Sequence, residues 1–194
     1  MIIVGITGSI GCGKTTLSTL AKSLGFPVWD IDGWVRSVYR DKDFVRLVNR
    51  EFFNLESDKA VDKRALRALV FNDYQQLQKL EQLIHPFLQR RLRHFVHKNA
   101  RRRGLVIIDA ALLFELKWNR YCDFVIVADV AYEVQKMRVM ARDHISAEEF
   151  EKINARQMPN AEKVLKADFV IDTNKPENVL RASLALLFEE LMNG

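Results

Sequence analysis

The stretch that most restricts what this chain can fold into is GSIGCGKT, Gly8 to Thr15, which closely follows the apolar run IIVGI at 2–6. It fits the pattern G-x-x-x-x-G-K-[ST], with an expected strand before it and a helix after it, the setting that pattern requires. Wrapping main-chain N–H groups around a phosphate chain needs close approach and unusual backbone angles, and glycine permits both. Gly5 reads as an early member of the same glycine set. A helix starting near Lys14 adds the positive end of its dipole. Lys14 would then reach the β- and γ-phosphates of a nucleoside triphosphate, and the Thr15 hydroxyl would ligate Mg²⁺. The expected nucleotide contacts are Gly8, Ser9, Ile10, Gly11, Cys12, Gly13, Lys14, Thr15 and Thr16.

Four further short runs read as strands: PVWD (27–30), LVIID (105–109), DFVIVAD (123–129) and DFVID (168–172). Most are Val- and Ile-rich without polar alternation, as in strands buried on both faces of a parallel sheet. Longer segments with helical spacing separate them, which predicts an α/β fold: a doubly wound, five-stranded parallel sheet. The interval 31–104 is too long for one crossover and reads as a helical insertion. Leu66, Leu69 and Val70 share one face there, as do Leu77, Leu80, Leu83 and Ile84, and Pro86 is expected to end that helix before another begins. A second helical excursion covers about 131–166, with Ser146 and Glu149 as a capping box. The chain thus divides into a core (1–30, 104–130 and 167–194), an insertion (about 31–103) and the second excursion (about 131–166) within one domain.

The net charge of +5 favours polyanionic partners, nucleic acid or phosphorylated small molecules. The run RRLRHFVHKNARRR (Arg90 to Arg103) is strongly basic, but Leu88, Leu92 and Phe95 form one side while Arg90, Arg93, His97 and Arg101 take another. That is an amphipathic helix with a solvated face, and no aromatic stacking platform accompanies it, so no nucleic-acid partner is expected. No apolar run approaches the roughly 20 residues of a membrane span. MIIVGITG lacks the features of a secretory signal, and two cysteines cannot make a disulfide framework. The expectation is a cytoplasmic protein, a monomer or weak homo-oligomer. Cys12 lies in the glycine loop as a small tolerated residue; a helix N-terminus there could also lower its thiol pKa and make it oxidisable.

VWDIDGWVR (Val28 to Arg36) places two carboxylates at the end of the second strand, where an open α/β sheet faces its ligand crevice. A carboxylate there could take a proton from an attacking hydroxyl, and Arg36 could hold a substrate phosphate, although either Asp could instead cap a helix. Asp109 ends the third strand, where it could order Mg²⁺ through water. A GTP-binding switch would use DIDG and NKPE as its D-x-x-G and N-K-x-D. The interval after the glycine loop is too short for a switch region, and Glu177 with Asn174 reads better as the start of the last helix. Another small-molecule or nucleoside kinase would have the same loop chemistry.

From about residue 2 to 190 the chain closely resembles the dephospho-CoA kinase family. GITGSIGCGKTT is similar to its phosphate loop, DIDGWVR to its Asp-Ala-Asp-x-x-Ala-Arg motif, and LRALVFNDYQQLQKLEQLIHPFL to its Leu-Arg…Val-Phe…His-Pro region. IIDAALLFE resembles its Asp-x-Pro-Leu-Leu-Phe-Glu segment, and RQMPNAEKVLKADFVIDTN its Gln…Glu-Lys…Ala-Asp-x-Val-Ile-Asp stretch. The departures are Ser9 and Cys12 in the loop, Ile31 and Val35 where alanines are common, and Ala111 in place of proline. The resemblance implies ATP and Mg²⁺ as cofactors and dephospho-CoA as the phosphoryl acceptor. It makes Asp32 the group that activates the ribose 3′-hydroxyl, makes the region about 131–166 a lid and puts its Arg138 and Arg142 on the ATP phosphates, although four-residue spacing alone would also suit a solvated helix face. It also implies that the helical insertion holds the acceptor, with His85 near the binding surface and Leu113, Phe114 and Glu115 in the facing loop, although His85 before Pro86 would also suit an ordinary helix end. Thr173 and Asn174, after the last strand, are candidates for contacting adenine.

Overall fold

The computed structural model describes residues 1–100 and 104–193, apart from the side chains of residues 71, 72 and 74. Among the described residues five strands form one sheet: β1 (Ile2–Thr7), β2 (Val28–Asp30), β3 (Leu105–Asp109), β4 (Phe124–Asp129) and β5 (Phe169–Asp172). Every pairing is parallel and the order is β2-β3-β1-β4-β5. Each strand lies within a residue or so of its expected span. Because β3 and β4 flank β1, the loop after β1 opens at the middle of the sheet's carboxyl edge, where α/β folds bind ligands.

The strand sequences explain the layers. Val4, Ile6, Leu105, Ile107, Ile126 and Ala128 are buried together with Leu17, Leu20 and Ala21 of α1 (Lys14–Ser23) and Leu180, Leu184 and Phe188 of α9 (Glu177–Asn193). Alternation turns Gly5 to the opposite face. A Cβ there would lie 2.8 Å from both Leu113 Cδ2 and Cys122 Sγ, so this glycine serves packing under β1 and not phosphate approach, correcting the expectation.

The chain divides into two compact units, Met1–Ile31 with Asn99–Gly194, and Asp32–Lys98. The excursion after β4 belongs to the first. It contains α6 (Tyr132–Asp143), α7 (Ala147–Asn154) and α8 (Asn160–Val164), and the Ser146–Glu149 capping box that opens α7 is present in full. The last helix starts otherwise than expected. Pro176 precedes α9, while the Asn174 N–H donates to Asp172 Oδ1 at 2.9 Å in a turn of its own.

The second unit takes in α2 (Ile31–Val38), α3 (Lys42–Phe53), α4 (Lys63–Asn72) and α5 (Tyr74–Asn99). Asp41 and Asp62 cap α3 and α4, each accepting two backbone N–H bonds. Phe44, fully buried, meets Tyr39 and Phe87 edge-on at 5.2 and 5.3 Å, within a core that includes Val38, Val45, Val48, Leu66 and Ile84. Leu69 is instead 42% exposed. At 100° per residue it stands 60° from Leu66 on the side away from Val70, at the flank of the apolar stripe.

Pro86 does not end a helix; it sits inside α5. The lost backbone bond costs about 3 kcal/mol. Ile84, Leu88 and Leu92 form a buried i, i+4, i+8 stripe across the proline, and burying each contributes about 1.5–3 kcal/mol, which offsets it. Arg90, Arg93 and His97 are exposed on the other side of this helix, as its amphipathic pattern predicts, and Arg101 lies outside the described residues. No helix among the described residues is long and apolar enough to cross a membrane.

Candidate active site

The loop after β1 turns on two residues in left-handed conformation, Gly11 (φ 79°) and Gly13 (φ 91°). A Cβ at Gly11 would lie 2.5 Å from Val139 Cγ2 and 2.8 Å from the Gln135 carbonyl, and one at Gly13 would lie 2.7 Å from Thr173 Oγ1. Glycine is therefore required here by handedness and by the close approach of α6 and the β5–α9 loop. α1 begins at Lys14 directly after Gly13, so its first amides are turned to the loop.

A cavity of about 650 Å³ opens over this loop. The loop and the start of α1 contribute Gly8, Ser9, Ile10, Gly11, Gly13, Lys14, Thr15 and Thr16, and Ala111, Arg138, Arg142, Gln157, Thr173, Lys175 and Glu177 also line the cavity. That volume suits a nucleotide-sized ligand. Two expected residues are absent from its walls. The Cys12 side chain is fully buried and its carbonyl accepts from Thr173 Oγ1 at 2.7 Å, while Asn174 gives way to Lys175 and Glu177. Burial, helped by Asp129, pushes the Cys12 thiol up to about 12, so the depressed pKa considered for it is overturned.

Lys14 Nζ lies 2.5 Å from Asp109 Oδ1, both side chains only 15% and 10% exposed. The pair holds the ammonium at the carboxyl end of β3, with strong attraction at low local dielectric. Arg138 and Arg142, one turn apart on α6, both reach the cavity wall. Arg138 donates through Nη1 and Nη2 to Thr173 Oγ1 and its carbonyl, each at 3.1 Å, and Thr173 in turn holds Cys12. Arg142 makes a two-pronged pair with Asp143, both bonds 2.7 Å.

Three amide side chains missed in the sequence fasten the loop to the α6–α8 segment. The Ser9 and Ile10 N–H groups donate to Asn160 Oδ1 and Gln157 Oε1 at 2.9 and 2.8 Å, and Gln135 Nε2 donates to the Ile10 carbonyl at 2.7 Å. For Gln157 and Asn160 the signal was the segment RQMPN, quoted above within a family motif, where the helical pattern is interrupted; Gln135 lies inside α6 with no signal of its own.

The acceptor contacts expected after β3 are not supported by the local geometry. Leu113 is fully buried and Phe114 is 8% exposed. Glu115 Oε1 pairs with the fully buried Lys163 at 2.9 Å and accepts the Met158 N–H at 2.9 Å, and Lys163 also donates to the Ala111 carbonyl at 2.6 Å. A buried ammonium needs such partners, so Glu115 is committed to packing α8 on the β3 loop. The remaining candidates lie in the helical unit. Asp32 is half-buried in the first turn of α2, Arg36 is exposed one turn on, and His85 is half-buried inside α5.

No group of three or more His, Cys, Asp or Glu that could hold a metal occurs among the described residues. Oxygen donors near the loop include the exposed Thr15 hydroxyl and the Asp109 carboxylate that pairs with Lys14, a set that fits a hard cation completing its shell with phosphate and water oxygens.

Comparison with known proteins agrees with this geometry. The family model for dephospho-CoA kinase matches residues 2–178. A dephospho-CoA kinase of Nitrobacter winogradskyi is 36% identical over 185 residues, 95% of this chain and 92% of that protein. A crystal structure of a Thermus thermophilus protein superposes with a TM-score of 0.80 at 34% identity over 97% of both chains. Dephospho-CoA kinase from Campylobacter jejuni shares the fold with a TM-score of 0.66 at 24% identity, over 99% of this chain and 98% of that one. With its phosphate loop, paired Lys14 and arginine-bearing α6 inside the matched span, the chain belongs to the dephospho-CoA kinase family.

Proposed function

We propose that this protein transfers the γ-phosphoryl group of ATP to the ribose 3′-hydroxyl of dephospho-CoA, giving coenzyme A and ADP. The observation that carries the reading is the cavity over the glycine loop, where Lys14, Arg138 and Arg142 converge inside a span matched by the family. Phosphoryl transfer asks a protein mainly to position reactants and to spread charge over the equatorial oxygens. Loop amides and the α1 N-terminus would hold the β-phosphate. Lys14, shared with Asp109, would reach the terminal phosphate. Arg142 would leave Asp143 for the same oxygens, while Arg138, already braced on Thr173, arrives with less side-chain entropy to lose. Thr15, with Asp109 through water, would hold Mg²⁺, which when bound neutralises charge on the β- and γ-phosphates.

Asp32 is proposed as the base that takes the 3′-hydroxyl proton, supported by the family motif and by its place two residues after β2 ends. Arg36 and His85 would contact the acceptor. A lid role for α6–α8 would exclude water from the γ-phosphate. The protein would act in the cytoplasm, on a small-molecule acceptor, as a monomer or weak homo-oligomer. The test is ADP release with dephospho-CoA against a panel of nucleosides and nucleoside monophosphates. Turnover with dephospho-CoA is expected, and turnover with a nucleoside or its monophosphate instead would reassign the acceptor.

A further inference from the structure

We propose that the Gln157 side chain donates a hydrogen bond to the terminal phosphate of the bound triphosphate, an inference that rests on the nucleotide reading of the cavity. Gln157 precedes α8 and lines that cavity half-exposed. The Ile10 N–H can only donate, so the atom it meets at 2.8 Å must be the amide oxygen, and this settles which way round the amide lies. The oxygen being taken, the two N–H donors of Nε2 are the free end.

Position then selects the phosphate. Ile10 is held on both sides, its N–H by Gln157 Oε1 and its carbonyl by Gln135 of α6. The same helix carries Arg138 and Arg142 into this cavity, which Lys14 lines as well. Lys14 marks the terminal-phosphate end, since the phosphate-loop lysine reaches the β- and γ-phosphates. Gln157, through Ile10, is joined to the helix that bears the two arginines assigned to the same phosphate. It supplies a neutral donor, fixed in orientation by the loop it serves, in a cavity where Arg142 must first leave Asp143. A donor preorganised in this way acts on charge that develops at the terminal phosphoryl oxygens.

Two variants separate this role from simple fastening of the loop. Gln157→Glu keeps an oxygen for the Ile10 N–H and replaces the donors with negative charge. Gln157→Ala removes both functions. Calorimetric titration with ADP and with a non-hydrolysable ATP analogue is expected to show Gln157→Ala losing about tenfold or more in analogue affinity. Its ADP affinity should stay within about threefold. In Gln157→Glu, kcat should fall about 10²-fold, the scale of one transition-state donor, with an unchanged melting temperature. Equal losses for ADP and analogue in Gln157→Ala, or near-normal kcat in Gln157→Glu, would overturn the proposal. If Gln157→Ala does not fold, Gln157→Glu decides alone. The binding comparison needs no acceptor, so a wild-type protein that binds both nucleotides but does not phosphorylate dephospho-CoA would refute the acceptor assignment and leave this test standing.

Discussion

The glycine loop and the helical unit are built on opposite principles. Around the loop, buried and part-buried polar atoms do the fastening: Gln157, Asn160 and Gln135 hold residues 9 and 10, Thr173 links Arg138 to Cys12, and Lys163 with Glu115 anchors α8. In the helical unit the interior is mainly apolar, centred on Phe44, with Asn49 a buried polar exception that donates to the Ser57 and Lys59 carbonyls, and ion pairs such as Arg90 with Asp41 are peripheral, at 3.7 Å with side chains 67% and 38% exposed. Hydrogen bonds fix direction and distance, which a phosphate cradle needs, whereas hydrophobic burial is non-directional. The difference teaches that precision has been concentrated where charge is transferred, and volume filling where an acceptor would be held.

The comparison can be attacked directly. The largest effect is expected from Lys14→Ala, which should lower kcat about 10³-fold, read by coupled ADP release. Next are two stability changes of similar size and different character. Lys163→Met leaves Glu115 charged and unpaired and should cost about 3–5 kcal/mol in urea unfolding, with much of that recovered by adding Glu115→Gln. Phe44→Ala should cost about 3–5 kcal/mol by opening a cavity, and Phe44→Leu much less. A rescue pattern that ran the other way round would break the contrast. Asp32→Asn should reduce kcat about 10²-fold while leaving ATP affinity nearly intact, and near-normal turnover would remove Asp32 as the base.

The smallest effect concerns the buried thiols. Cys12 and Cys122 are both pushed up to about 12, chiefly by burial, so the folded protein binds their protons more tightly than the unfolded chain does. The stability from their neutral forms is full below the ordinary thiol range near pH 9 and is lost as pH rises from there toward 12. Melting temperature should therefore decline across that window, and Cys12 should resist alkylation at pH 8 until the chain unfolds. Rapid alkylation of the native protein would contradict its burial.

How much was legible follows from where each signal resides. The five strands were visible because strands buried on both faces must be continuously apolar. The phosphate loop was visible because its glycines, lysine and threonine are required at fixed spacing. Pro86 misled because the local rule against proline yields to a buried stripe on both sides of it, and Leu69 because a helical repeat does not say where the stripe ends. Leu113, Phe114 and Glu115 were recognisable as a motif, but a motif does not reveal whether its side chains face a ligand or the core.

The amino-acid sequence alone determined the parallel sheet, the phosphate loop and the family, because each is written in local composition and spacing. Only the tertiary structure decided that Gly5 yields to Leu113, that Lys163 is buried against Glu115, and that Gln157 turns its amide to the loop. These contacts join residues about 50 to 150 positions apart, and no local pattern encodes a hydrogen bond whose two partners meet only when the chain has closed.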